Sequence, residues 1–144
     1  AVPNHFELDF LTGRESHTLA EIVAAARALR ERGPEVVVVT SAVAADIPAD
    51  QIHMIAVSGE GAWQVSTPRI DRSFTGSGDV TSAALLAEYL RTRSVPDALG
   101  FTAGVIYGLL DHTDRLGTRE LALVQAQEEY VNPTHRFEVV ALDA

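Results

Sequence analysis

The chain contains neither cysteine nor lysine. Without cysteine there is no disulfide framework, no thiolate nucleophile and no cysteine-based zinc site. That absence fits a cytoplasmic protein. Without lysine the phosphate loop of the G-x-x-x-x-G-K-S/T type is excluded, and all 11 basic residues are arginine. Positive charge is scarce as well: acids outnumber bases 20 to 11, giving a net charge of −9. A nucleic-acid partner is therefore not expected, although an arginine pocket for one phosphate is compatible with this balance. The longest strongly apolar helical stretch, residues 98–110, falls short of the roughly 20 residues that cross a bilayer, so no membrane association is expected. Residues 1–4 lack the charged and apolar regions of a signal peptide. The five histidines, His5, His17, His53, His112 and His135, show no zinc-motif spacing.

What is present is enough to build a core, because 47% of the 144 residues are hydrophobic. One domain is expected, spanning residues 1–144. Ala1-Val2-Pro3-Asn4 reads as the end of a strand entering a turn. No strand precedes it, a hint that an N-terminal part is missing. Thr18 and Glu21 make a capping-box pair that opens a helix with Leu19, Ile22, Val23, Ala26 and Leu29 on one face. Gly33-Pro34 ends it. The run Val36–Val39 has no alternation and predicts a strand buried on both faces of a parallel sheet. Ile52–Val57 and Ala62–Ser66 read as a hairpin around Ser58–Gly61. A glycine-bearing loop, Phe74–Asp79, leads into a helix over Val80–Leu90. Further helices are predicted over Pro96–His112 and Thr118–Val131, and a short strand over Phe137–Leu142. The class is α/β with helices concentrated toward the C-terminus.

Chemistry concentrates at Phe74-Thr75-Gly76-Ser77-Gly78-Asp79. The glycines let backbone approach a ligand closely, and the helix start offers free N–H groups to an anion. Asp79 beside that anion could accept the proton of an attacking hydroxyl. Phosphoryl transfer needs this pairing of donors and base, because its catalysis is mostly positioning and charge stabilisation. The same four residues also suit a turn followed by an aspartate N-cap. Asn4 and Glu7, in Pro3-Asn4-His5-Phe6-Glu7, supply oxygens of the kind a magnesium nucleotide uses, or form a turn with a nearby acid. Thr40 and Ser41 stand at the C-terminal end of the valine strand, where open α/β sheets bind ligands, and could contact phosphate or close a turn. Gly100, Gly104 and Gly108 suit close helix packing. Asp111, Asp114 and Arg115 read as a solvated helix end, and Glu128-Glu129 as a solvated helix face.

Together these segments resemble the C-terminal half of the ribokinase-like superfamily, and specifically the pyridoxal kinase family. Pro3-Asn4-His5-Phe6-Glu7 with Leu11-Thr12-Gly13 is similar to the family's P-N-x-x-E and L-S/T-G segment. Gly33-Pro34 to Thr40-Ser41 is similar to its G-P and V-V-I/V-T-S stretch, and Gly76-Ser77-Gly78-Asp79 to its G-T/S/V-G-D. The resemblance implies the C-terminal part of a three-layer α/β/α fold, a sheet with helices packed on it. It implies ATP and Mg2+ as cofactors, with a monovalent cation as a further candidate. By the resemblance Asn4 and Glu7 act around magnesium, and Thr40 and Ser41 touch the ATP phosphates. Arg69 and Ile70 border the nucleotide. The amides of Gly76, Ser77 and Gly78 form the anion hole, and Asp79 is the base for a 5′-hydroxymethyl group. Related hydroxymethylpyrimidine kinases often carry cysteine where Asp79 stands. The implied activity is ATP-dependent phosphorylation of pyridoxal, pyridoxine or pyridoxamine in vitamin B6 salvage. Two alternatives stay open: another ribokinase-like kinase for a hydroxymethylpyrimidine or sugar, and a non-catalytic nucleotide-binding fragment. Family members are roughly double this length. A half-sheet with an open edge then suggests a homodimer or pairing with a missing N-terminal half.

Overall fold

The computed structural model describes residues 1–142. It divides into two compact units, residues 1–68 with 139–142 and residues 69–138.

The first unit is a four-stranded antiparallel sheet with two helices. Helix α1 spans His5–Thr12 and α2 spans Leu19–Arg30. The strands are β1 (Val37–Ala42), β2 (Gln51–Val57), β3 (Ala62–Pro68) and β4 (Val139–Leu142), in the order β1-β2-β3-β4. The expected capping box of α2 is present: the Thr18 side chain accepts from the Glu21 N–H, and the Glu21 carboxylate accepts from the Thr18 N–H. Its apolar face, Ile22, Val23, Ala25, Ala26 and Leu29, is buried with Leu8 of α1 against Val37, Val39, Ile55 and Val57. Val38, which alternates with these valines, is 1% exposed, so the run is buried on both faces. The sheet itself is not the parallel one expected. β1–β2, β2–β3 and β3–β4 all pair antiparallel. The parallel element is the segment ahead of α1, which ends in an isolated bridge between Asn4 and Thr40. There the Val38 N–H donates to the Ala1 carbonyl and the Thr40 N–H to the Pro3 carbonyl, each at 2.9 Å. Burial on two faces reports sandwiching, not strand direction, and a tight hairpin permits antiparallel neighbours that are equally buried.

Helix α1 falls where only a turn with a nearby acid was expected. Its sequence signal was present: asparagine followed three residues later by glutamate, ahead of an apolar residue, is a capping pattern. α1 is unusual in the side it leaves uncovered. Phe6 and Phe10 are 79% and 78% exposed, and with Val2, Pro3 and Leu11 they line an open, shallow pocket of about 410 Å³.

The second unit is a helical hairpin, α3 (Ser77–Thr92) and α4 (Val95–Leu116), packed on each other. Ser94 caps α4 and Pro96 lies in its first turn. α3 starts three residues earlier than expected, so Ser77, Gly78 and Asp79 belong to the helix. The helix expected over Thr118–Val131 is a loop with one 3-10 turn, Gln127–Tyr130. Side chains take its backbone groups: the Ala122 N–H donates to Thr113 Oγ1 of α4, and within the segment Tyr130 Oη donates to the Leu123 carbonyl. The glycine stripe of α4 seats this returning loop. A Cβ at Gly104 would collide with the His135 carbonyl, and one at Gly108 with the Glu129 carboxylate. Glu129 is therefore not a solvated helix face; it also accepts from the Thr134 N–H and hydroxyl. Among the described residues no helix is long and apolar enough to cross a membrane.

Candidate functional site

In the first unit, the bridge between Asn4 and Thr40 brings two predicted segments together. Asn4 is the N-cap of α1, its side chain accepting from the Glu7 N–H at 2.8 Å. Glu7 Oε2 accepts from the Asn4 N–H at 2.8 Å. Both proposed magnesium residues are thus committed to a reciprocal cap. The commitment is partial, because Glu7 Oε1 has no partner among the described residues and a carboxylate can accept about four hydrogen bonds. Magnesium beside a nucleotide takes only one or two protein carboxylates, the rest of its shell being water and phosphate. The described residues hold no cluster of three or more His, Cys, Asp or Glu side chains suited to a metal. A free carboxylate oxygen on a fixed helix end fits a nucleotide-borne ion and not a protein-caged one.

Thr40 and Ser41 close β1 at a register shift between Val39 and Ala42. Ser41 has φ +52°, one of two non-glycine residues with positive φ among those described. The left-handed region costs an L-residue about 1 kcal/mol, so the turn persists because its surroundings hold it. Neither hydroxyl is engaged by another described residue, which leaves both available to a ligand.

In the second unit, Gly76 is the N-cap of α3 at φ +88°, ψ −2°, with no side-chain cap. Glycine takes this conformation without the penalty a Cβ brings. The first ladder bond runs from the Val80 N–H to the Gly76 carbonyl at 3.3 Å. The N–H groups of Ser77, Gly78 and Asp79 therefore precede the ladder and face outward with the helix dipole behind them. A Cβ built on Gly78 meets nothing within 4 Å, so there is room beside these amides for a phosphate. Asp79 is exposed, the third residue of the helix and not its cap, and its carboxylate has no partner among the described residues. The expectation of an aspartate N-cap is corrected on this point.

The approach to this loop is pinned by a residue that the sequence reading passed over. Arg72 donates to Asp114 Oδ1 at 3.0 Å and to the Thr118 carbonyl, and its guanidinium lies 5.0 Å from the Phe74 ring centre. Ser77 Oγ in turn donates to the Phe74 carbonyl at 3.2 Å. Asp114 is thus part of a clamp and not only a solvated helix end. No local pattern could reveal a pair 42 residues apart. Arg69 and Ile70 open the same loop; Arg69 is exposed, and the Ile70 carbonyl accepts from the Arg72 N–H at 2.8 Å.

Comparison with known proteins points in one direction. The family described as phosphomethylpyrimidine kinase matches residues 1–123. The curated pyridoxal kinase PdxY of Deinococcus radiodurans is 48% identical over 141 residues, covering 94% of this chain and 47% of that protein. The PdxY of Corynebacterium diphtheriae is 43% identical over 137 residues, covering 95% of this chain and 48% of that one. Among solved structures, the pyridoxal kinase from Leishmania donovani in complex with ADP and ginkgotoxin superposes with a TM-score of 0.86 at 27% identity. That match covers 99% of this chain and 50% of the other. Pyridoxal kinase from Entamoeba histolytica gives 0.84 at 25% identity, covering 98% and 50%. The chain spans about half the length of the curated relatives it matches.

Proposed function

Because the chain belongs to the phosphomethylpyrimidine kinase family, we propose that it supplies the phosphoryl-transfer residues of an ATP-dependent kinase for the hydroxymethyl group of pyridoxal, pyridoxine or pyridoxamine. The observation that carries this reading is the uncapped start of α3, where three free N–H groups and a free carboxylate occur together. Asp79 takes the proton of the substrate hydroxyl as its oxygen bonds to the γ-phosphorus and the bond to the β,γ-bridging oxygen breaks, releasing ADP. The amides of Ser77 and Gly78, with Gly76 shaping the turn, stabilise the charge gathering on the transferred group. Thr40 and Ser41 hold the nucleotide phosphates, and Arg69 and Ile70 border the nucleotide. Magnesium, held by Glu7 with Asn4, would neutralise phosphate charge. The named relatives favour a B6 vitamer over a hydroxymethylpyrimidine or a sugar, and so does aspartate at position 79.

A second observation bears on partners. The exposed Phe6, Phe10 and Leu11 form an apolar surface larger than isolated exposed residues make. We propose that this surface is covered in the working protein, either by a second copy or by a polypeptide equivalent to the other half of the relatives' length. The cytoplasm, where ATP and B6 vitamers meet, is the proposed compartment.

The deciding experiment follows pyridoxal 5′-phosphate formation from pyridoxal and Mg-ATP, with the Asp79→Ala variant alongside. Turnover that disappears in the variant supports the reading. Nucleotide binding without turnover, in the chain alone and after addition of a relative's other half, would favour the non-catalytic nucleotide-binding alternative.

A further inference from the structure

We infer that His5 is a positioning residue that sets the Thr40–Val43 turn from the start of α1. The inference rests on the reading above that Thr40 and Ser41 hold nucleotide phosphates. His5 is the first residue of α1, between Asn4 and Glu7 in sequence, and its side chain is 16% exposed. The Val43 N–H donates to its Nδ1 at 3.3 Å. Its Nε2 lies 3.1 Å from the Ser16 carbonyl. A backbone N–H can only donate and a carbonyl can only accept. Both partners therefore demand the same neutral tautomer, with the proton on Nε2.

The Ser16 end of this link is itself fixed. Asp9 accepts from the Ser16 hydroxyl at 2.7 Å and from its N–H at 3.0 Å. The ring is thus braced by α1 and its following loop, and reaches across to the loop after β1. Farther along that loop, the Ala45 N–H donates to the His17 carbonyl at 2.8 Å, and Asp46 accepts from the Leu19 N–H at 2.9 Å. Next to Ser41, whose positive φ needs external support, Ala42 pairs with His53 of β2, and one residue farther His5 supplies the first tie from outside the sheet. Ahead of Ser41 the backbone is held by the Thr40 N–H on the Pro3 carbonyl at 2.9 Å. Ser41 is therefore held between the Pro3 tie and the β2 pairing of Ala42, and His5 fixes the chain as it leaves the strand.

Two substitutions separate the two ends of the ring. His5→Asn keeps an acceptor near the place of Nδ1 but does not reach Ser16. His5→Gln reaches toward Ser16 but removes the acceptor for Val43. Hydrogen exchange at the Val43 amide and ADP affinity by calorimetry are read on the whole chain. In His5→Gln, Val43 exchange is expected to speed up by about tenfold or more and ADP affinity to fall by about tenfold. His5→Asn is expected to hold both within about threefold of the unsubstituted chain. Unchanged Val43 exchange in His5→Gln would overturn the inference. So would faster exchange in that variant with full ADP affinity. Failure of the unsubstituted chain to bind ADP counts against the functional reading instead, and the exchange arm still decides whether His5 sets the turn.

Discussion

Helices α1 and α3 both begin at a short turn rich in residues that read as caps, and they treat their free N–H groups in opposite ways. At α1, Asn4 and Glu7 close on each other in a reciprocal box. At α3, Gly76 offers no side chain, and Asp79 sits in the first turn with no partner among the described residues. One start is satisfied internally; the other leaves its donors without a partner among the described residues. The difference separates stability from chemistry: a substitution at the first acts on folding before it acts on function, and at the second the order reverses.

The largest expected effect tests that separation directly. Asp79→Asn, in whichever preparation turns over pyridoxal, should lower the rate by about 10²–10⁴-fold, the range for a lost general base. Urea unfolding should shift by only about 0.5 kcal/mol, the helix-dipole contribution of one exposed acid. A loss of about 1 kcal/mol in Asp79→Ala with turnover intact would restore the cap reading for this loop.

Gly78→Ala sharpens the comparison because its two effects have opposite signs. Gly78 is a helical residue with ordinary φ and open space at its Cβ position. Alanine there should raise stability by about 0.4–1 kcal/mol by restricting the unfolded chain. The same methyl would occupy room beside the free amides, and ADP affinity is expected to fall by about tenfold. A variant that is more stable and binds ADP normally would show that phosphate does not approach this helix start.

At α1 the expected balance is the reverse. Asn4→Ala removes the cap and should cost about 1 kcal/mol in urea unfolding. Glu7→Gln keeps a capping-box residue at the third helical position but removes the charge. It should change stability by less than about 1 kcal/mol, the dipole contribution alone, while abolishing the magnesium dependence of nucleotide binding. Retained magnesium dependence in Glu7→Gln would leave Asn4 and Glu7 as a cap and nothing more.

The same contrast explains what could be read in the sequence. The α2 box, the hairpin around Ser58–Gly61 and the final strand near Val139 were legible, because each rests on a local signal of four to eight residues. α1 was hidden by its own motif, since Asn4 and Glu7 invite a ligand reading before a helical one. The 118–131 segment misled because its composition suits a helix, whereas its backbone groups are taken by Thr113 and its Glu129 by the notch at Gly108. The candidate site was legible in its short motifs and illegible in its supports. Arg72 on Asp114, and His5 on Val43 and Ser16, join residues from 11 to 42 positions apart.

The smallest expected effect lies away from both helix starts and serves as their control. His53 is 5% exposed in β2, bonded through Nε2 to Ser66 Oγ at 2.8 Å, and its Nδ1 is buried without a partner among the described residues. Burial lowers its pKa below the ordinary histidine value, with partial opposition from the Gln64 side chain and the Asp46 charge. The unfolded chain then takes up a proton at higher pH than the folded one, so stability rises with pH across this range. It should be fully present above the unfolded value of about 6.5 and decline as pH falls toward the lowered folded value. Thermal unfolding of the unsubstituted chain should show that decline, and His53→Gln should flatten it while leaving ADP affinity at neutral pH unchanged. A decline that survives in His53→Gln would move the acid sensitivity out of β2 and onto the Glu21 carboxylate of the α2 cap, whose pKa the His17 and Thr18 N–H donors lower and whose loss belongs to a lower pH window.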